Sequence, residues 1–246
     1  MLEPILKINN FTSGYEDNLV LHNVSLNVYP GETVAVIGTS GCGKTTLLKH
    51  IIGLLKSYQG SVHLFDEDMA CIDEKEYVGV MRKVGVLFQN GALLNSISVG
   101  ENISIPLEQH TNLPPHIIEK IVRLKLSLVG LSHVYNYSPM ALSGGMRKRV
   151  ALARALVLDP EILFADEPGA GLDPVTARSL DDLLLSLRNQ LGLTLIIVTH
   201  EVNSIKRTAE KICYLHDGKV LFFGKLEDAL KSEISEVKSF FATQVS

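Results

Sequence analysis

A short β-branched run, Thr33-Val34-Ala35-Val36-Ile37, passes directly into Gly38-Thr39-Ser40-Gly41-Cys42-Gly43-Lys44-Thr45, after which Leu47, Leu48, Ile51, Ile52 and Leu55 recur at helical spacing. The run reads as a buried parallel strand and the later recurrence as an amphipathic helix. Strand, glycine-rich loop and helix in that order commit the chain to an α/β sheet with an anion site at the junction. The glycines let the backbone curl until successive N–H groups point inward, and the helix adds its positive N-terminal end. Lys44 supplies a positive charge for terminal phosphates, and the Thr45 hydroxyl is a hard oxygen ligand for Mg²⁺. Gly38 to Thr46 are therefore the expected grip on a nucleoside triphosphate. Cys42 reads as a small spacer, since holding phosphate needs no thiolate.

Three further apolar runs end in polar groups that phosphate chemistry uses. Ile162-Leu163-Phe164-Ala165 precedes Asp166-Glu167, Thr194 to Val198 precedes Thr199-His200, and Val84 to Phe88 precedes Gln89. In open α/β folds such strand ends gather at the carboxyl edge of the sheet, where ligands bind. Asp166 is expected to hold Mg²⁺, directly or through its waters. Glu167, one residue beyond the strand, is placed to orient or deprotonate a water attacking the terminal phosphorus. His200 brings an imidazole to the outermost phosphate, and Gln89 an amide for the metal or the water. Taken singly, paired acids after a strand are a loop start or helix cap, a lone His is structural and a Gln is polar punctuation. Their coincidence with the glycine loop favours catalysis by Glu167, His200 and Gln89, with Thr45, Gln89 and Asp166 at the metal.

The 246 residues, 46% of them hydrophobic, suffice for one α/β domain with a smaller appended subdomain. A formal charge of -4 offers no basic field for nucleic acid. Cys42, Cys71 and Cys213 lack metal spacing, and an odd number without a secretory leader predicts free thiols in a reducing compartment. Glu3, Pro4 and Lys7 interrupt the apolar start, and no stretch approaches the roughly 18 apolar residues of a membrane span. Service to a membrane would then be as a subunit on its cytoplasmic face.

Alternation in Ile5 to Phe11 and Val20 to Val28, closed by Pro30-Gly31, predicts antiparallel strands, and Gly60 to Phe65 extends this β-rich region. From 90 to 156 helical periodicity takes over, as in Ile117, Ile118, Ile121, Val122, Leu124 and Leu128, with Pro106, Pro114, Pro115 and Pro139 assigned to loops. A helix through Leu180, Leu183, Leu184 and Leu187 then separates two parallel strands. Asp217-Gly218, between Ile212 to Leu215 and Val220 to Phe223, suits a two-residue hairpin turn.

Leu142-Ser143-Gly144-Gly145-Met146, ahead of a helix with Val150, Ala151, Ala153 and Ala155, resembles the signature of ABC-transporter ATPases. The resemblance covers almost the whole chain: Tyr15 stands as the adenine-stacking residue, then come the glycine loop, Gln89, the signature, Pro160, Asp166-Glu167, Leu172-Asp173 as the D-loop and His200 as the switch histidine. It implies one domain over 1–246, an α/β P-loop NTPase core of mixed parallel sheet with an N-terminal antiparallel β subdomain and an inserted helical subdomain. Residues 1–89 and 157–224 would form the RecA-like core with its antiparallel part, 90–156 the helical insertion and 225–246 a short helical tail. It further implies ATP and Mg²⁺ as ligands, a head-to-tail homodimer, integral membrane permease subunits and a place on the inner face of the cell membrane. Leu142 to Met146 would meet the γ-phosphate of a nucleotide held by a second copy. The physics agrees, because a Ser-Gly-Gly helix start presents unpaired N–H groups and about half a positive charge. An ordinary serine cap with a flexible glycine pair is the plainer reading. Stacking of Tyr15 on adenine would contribute about 1–3 kcal/mol. Arg147, Lys148 and Arg149 read as a solvated face or as contacts to neighbouring acids.

Narrower stretches, Leu87 to Leu93, Pro106 to Pro114 and Met146 in place of the usual Gln, resemble the ATPase subunits of Mla/MCE-type phospholipid transporters. That resemblance implies phospholipid cargo and an MCE-domain substrate-binding protein as a further partner. Gly169-Ala170-Gly171 departs from several relatives, and no long C-terminal extension is expected beyond Phe240-Phe241. Asn90 to Leu107 is the expected docking groove for a permease helix. Another cargo, or an ABC ATPase that moves no cargo, is the alternative.

Overall fold

The computed structural model describes residues 2–15, 18–55 and 59–242. The chain divides into two units, residues 1–81 with 194–246, and residues 82–193.

In chain order the first unit starts with β1 (Leu6–Tyr15), β2 (Asn18–Val28), β3 (Thr33–Ile37), α1 (Lys44–Ile51), β4 (Gln59–Leu64), β5 (Glu67–Asp68) and α2 (Glu74–Met81). An antiparallel sheet runs β2-β1-β4-β5. Leu6 and Ile8 turn inward while Lys7 faces water, as alternation predicts. Strand β1 outruns the alternating stretch because Asn10 takes a left-handed φ of 45° where the register shifts, after which Phe11 and Ser13 become the inward residues. Helix α1 stops short of the predicted Leu55, at Ile51, with Gly53 at φ 73° just beyond.

The second unit holds β6 (Val84–Leu87), α3 (Val99–His110), α4 (Pro115–Leu128), α5 (Gly144–Ala155), β7 (Ile162–Asp166) and α6 (Pro174–Leu191). Strands β6 and β7 are parallel, with Val84 opposite Ile162 and Leu87 opposite Ala165. Helices α3, α4 and α5 pack on one another. Two proline assignments change. Pro106 lies inside α3, where burial of Val99, Ile103 and Leu107 along one face and a Ser98–Glu101 capping box outweigh one missing N–H bond. Pro115 opens α4, where its absent N–H has no helical partner to lose. On α4, Leu124 faces outward and Lys125 inward, because the Lys125 ammonium is paired with the Asp159 carboxylate.

The chain then returns to the first unit with β8 (Thr194–Val198), α7 (Val202–Thr208), β9 (Lys211–His216), β10 (Lys219–Lys225), α8 (Leu226–Leu230) and α9 (Ser235–Ala242). Its second sheet runs β10-β9-β3-β8, with β9, β3 and β8 parallel and β10 antiparallel. The β9–β10 turn is the predicted one, with Asp217 at φ 44° and Gly218 at φ 72°. Ala35, Ile37, Ile205, Ile212, Tyr214, Val237 and Phe241 form part of the core between this sheet and its helices. The architecture is thus an antiparallel sheet plus a mixed, mostly parallel sheet with helices. Residues 90–156 lie wholly within the second unit, together with β6, β7 and α6, since β6 and β7 pair with each other on either side of those helices in the chain.

Candidate functional site

Strand β3 delivers the glycine loop. Gly38, at φ 147°, passes so close to β9 that a Cβ there would lie 2.1 Å from the Leu215 carbonyl oxygen, so only glycine fits. Gly43 occupies the left-handed N-cap position of α1 and makes no side-chain cap bond. Thr39, Ser40, Gly41 and Thr45 are exposed, whereas Cys42 and Thr46 are buried. Lys44 is nine-tenths buried and folds back across the loop, its Nζ donating to the carbonyls of Gly38 and Thr39 at 2.9 Å each, with Cys42 Sγ at 3.8 Å. Burial pushes the Cys42 thiol pKa up, against the pull of Lys44, which agrees with a spacer. The donor set of this loop is N–H groups, hydroxyls and one ammonium, which suits a phosphate chain.

His200 follows β8 on the same sheet edge. The Thr199 N–H donates to the Val36 carbonyl at 3.2 Å, tying the end of β8 to the end of β3 where the loop begins. The imidazole is exposed, with Nε2 3.7 Å from Glu201 Oε1. Tyr15 ends β1 with its backbone opposite Asn18; its side chain, and so the stacking role, lies outside the described residues.

In the second unit, Asp166 is the buried last residue of β7, and Glu167 follows, half-buried, at φ 44°. A left-handed glutamate costs about 1–3 kcal/mol, the kind of strain found at functional positions. Gln89, exposed, lies two residues beyond Leu87, as Glu167 lies two beyond Ala165, the residue opposite Leu87. Within this unit Asp166 and Gln89 carry hard oxygen donors of the kind Mg²⁺ takes, as the Thr45 hydroxyl does in the first unit. No cluster of three His, Cys, Asp or Glu suited to a metal occurs among the described residues.

The signature opens α5. Ser143 is its N-cap, with Oγ accepting from the Met146 N–H at 3.3 Å; Leu142 is buried behind it. A Cβ on Gly145 would come 2.5 Å from Thr176 Cγ2, so the absence of a side chain there lets the start of α6 approach the start of α5. Asp173 caps α6, its Oδ1 accepting from Val175 and Thr176 N–H at 3.1 and 3.0 Å, bonds that hold its carboxyl pKa down. Met140 and Val175, both strongly exposed, lie near these two helix starts in the chain.

Of the two readings of the basic run after the signature, a solvated face or contacts to neighbouring acids, the second holds in part for Lys148, and the hydrogen bonds of the run go to main-chain carbonyls and a hydroxyl. Arg147 donates to the Pro139 carbonyl at 3.0 Å, Arg149 to the Val129 carbonyl at 3.0 Å and to Ser179 Oγ at 2.8 Å, and buried Lys148 to the carbonyls of Gln89 and Glu167. Burial lowers the Lys148 pKa, while Asp166 and Glu167 pull it back up. Lys148 is the site residue that sequence reasoning missed; its only signal was the unusual density of cations at one helix start.

The protein family described as ABC transporter matches residues 21–170. The chain belongs to the ABC transporter ATPase family. Over 240 residues it is 38% identical to the intermembrane phospholipid transport system ATP-binding protein MlaF of Haemophilus influenzae, covering 98% of this chain and 91% of that one. It is 40% identical over 228 residues to the methionine import ATP-binding protein MetN of Lactobacillus johnsonii, covering 91% of this chain and 65% of that one. Among solved structures, the dimeric post-hydrolysis state of the ATP-binding cassette MJ0796, bound to ADP and Pi, superposes with a TM-score of 0.81 at 34% identity, covering 90% and 98% of the two chains.

As a member of the ABC transporter family, the protein is an ATPase subunit whose hydrolysis is coupled to transport. None of its described helices is long and apolar enough to cross a membrane. Cys42, Cys71 and Cys213 are free thiols.

Proposed function

We propose that this ABC ATPase drives phospholipid transport, acting as a homodimer docked on integral membrane permease subunits at the inner, cytoplasmic face of the cell membrane, with an MCE-domain substrate-binding protein as a further partner. The observation that carries the cargo is the likeness to MlaF, which extends over nearly the full length of both chains, whereas MetN continues well beyond the matched region.

In this reading Gly38 to Thr46 hold the triphosphate. Lys44 exchanges the Gly38 and Thr39 carbonyls for phosphate oxygens, trading neutral acceptors for charged ones. Tyr15 stacks on the adenine. Thr45, Asp166 and Gln89 are the residues that would hold Mg²⁺, which when bound would neutralise phosphate charge. Glu167 takes the proton of the attacking water, and His200 hydrogen-bonds the outermost phosphate, with Gln89 orienting the water. Leu142 to Met146 of one copy cap the γ-phosphate held by the other, with Asp173 beside them, so that ATP closes the dimer and hydrolysis opens it. Residues 90–156 act as the helical subdomain, 1–89 with 157–224 as the core and 225–246 as the tail, and Asn90 to Leu107 receive the permease helix.

Two measurements test this together. Glu167→Gln should retain ATP binding while turnover falls by roughly 10²–10⁴. Lipid analysis of the copurified membrane complex should find bound phospholipid; methionine transport without lipid would favour the MetN-like alternative.

A further inference from the structure

Lys148 is an unusual cation for a helix that opens a nucleotide site. Its side chain is almost wholly buried, and its ammonium is directed at main-chain oxygens rather than at water: the Gln89 carbonyl, and the Glu167 carbonyl at 3.2 Å. Those two residues each lie two positions beyond the register pair Leu87–Ala165 of the parallel strands β6 and β7. Glu167 sits in the left-handed region at φ 44°, a conformation an unconstrained glutamate avoids. Six residues along the same helix, Arg154 repeats the pattern, donating to the carbonyls of Gly91 at 2.7 Å and Ala92 at 2.8 Å, residues at φ 70° and 49°. A Cβ on Gly91 would meet Ala151 Cβ at 3.3 Å, so this loop also packs tightly on α5. Helix α5 therefore grips the segment 89–92 at two points and Glu167 at a third.

Lys125, buried on α4, pairs its ammonium directly with the Asp159 carboxylate. The hydrogen bonds of Lys148 go to two main-chain carbonyls, with the Asp166 and Glu167 carboxylates acting on its charge from nearby, so it fixes the peptide planes from which the Gln89 and Glu167 side chains start. We propose that Lys148 is a positioning residue for ATP hydrolysis: by holding the Glu167 carbonyl it keeps that residue left-handed, and by sharing the same ammonium with Gln89 it makes the general base move with α5, the helix that Ser143 caps. The inference rests on Glu167 being the general base. It adds a mechanical link inside one protomer, through which displacement of the signature helix displaces the base. Because misplacement of a reacting group by about 1 Å costs on the order of 10²-fold in rate, the link acts on turnover rather than on nucleotide affinity.

The test is steady-state and single-turnover ATP hydrolysis by the full chain carrying Lys148→Met or Lys148→Arg, each with wild-type Glu167 and with Glu167→Gln. Lys148→Met should lower kcat by ~10- to 100-fold with the KM for ATP within about twofold of wild type. Lys148→Arg, which keeps cationic donors, should recover most of that loss. In the Glu167→Gln background Lys148→Met should add no further loss, because the group it positions is already disabled. Unchanged kcat, an equal proportional loss in both backgrounds, or loss expressed wholly in KM would overturn the positioning role while leaving Glu167 as the base. Normal turnover by Glu167→Gln alone would remove the base itself and the inference with it. If Lys148→Met does not fold, Lys148→Gln, with one amide donor, replaces it under the same criteria.

Discussion

Asn102 gives a quantitative handle on the loop that precedes α3. It is completely buried, and its side chain serves the loop on both sides: Oδ1 accepts from the Leu94 N–H at 2.8 Å, while Nδ2 donates to the carbonyls of Leu94 and Ser98 at 2.9 Å each and more weakly to Ile97 at 3.4 Å. Three well-formed bonds at a net 0.5–1.5 kcal/mol each amount to about 1.5–4.5 kcal/mol. Ser98 keeps a main-chain donor, the Asn102 N–H at 2.9 Å, and Leu94 is half exposed, so water recovers part of the loss. Asn102→Ala should therefore destabilise by about 2–3 kcal/mol. At roughly 2–4 °C per kcal/mol for a chain of this size, Tm should fall by about 4–12 °C in scanning calorimetry. Asn102→Asp is the sharper control. It preserves shape and the Leu94 acceptor but turns a carboxylate toward three carbonyls, and should cost at least as much as alanine. If both variants melt within 2 °C of wild type, the loop is not held by this side chain and its proposed role as a prepared docking groove loses its physical basis.

The fold was legible where an element's burial shows in its own residues, as a continuous apolar run or an apolar face. The strand–loop–helix at 33–51 and the strands at 162–166 and 194–198 follow directly from β-branched runs, and the Asp217-Gly218 hairpin from its φ requirements. What stayed hidden depended on partners distant in sequence. The bulge at Asn10 resets the period of β1, and Pro106 is carried inside α3 by burial of its neighbours. Lys125 trades places with Leu124 because Asp159 meets it. That the candidate residues stand at strand ends and in the glycine loop was readable from the sequence, yet the left-handed Glu167 and the carbonyl contacts of Lys148 were not, since no local pattern encodes a hydrogen bond to a main-chain oxygen far along the chain.

Lys44→Ala should weaken ATP binding measured by calorimetric titration; unchanged affinity would contradict the assignment of the glycine loop. His50 is buried, with Nε2 2.6 Å from Ser13 Oγ and Nδ1 3.0 Å from the Leu55 carbonyl, and burial lowers its pKa below the ordinary 6.5. The unfolded chain then binds a proton at a higher pH than the folded one, so this contribution is intact above pH 6.5 and is lost as pH falls below it. His50→Gln should flatten the fall of Tm between pH 7.5 and about 5.5; an unchanged slope would exclude His50 as its source. Ser143→Arg, combined with wild type in a mixed dimer, should silence the nucleotide site of the partner, and full activity would argue against a shared pocket.

The most direct measurement is the assembly state and structure of Glu167→Gln with ATP and Mg²⁺. Light scattering should give a dimer that dissociates when nucleotide is removed, and its crystal structure should place Ser143 of each copy against the γ-phosphate held by Lys44 of the other. ATP-loaded single chains, with the Ser143 helix start open to solvent, would contradict it.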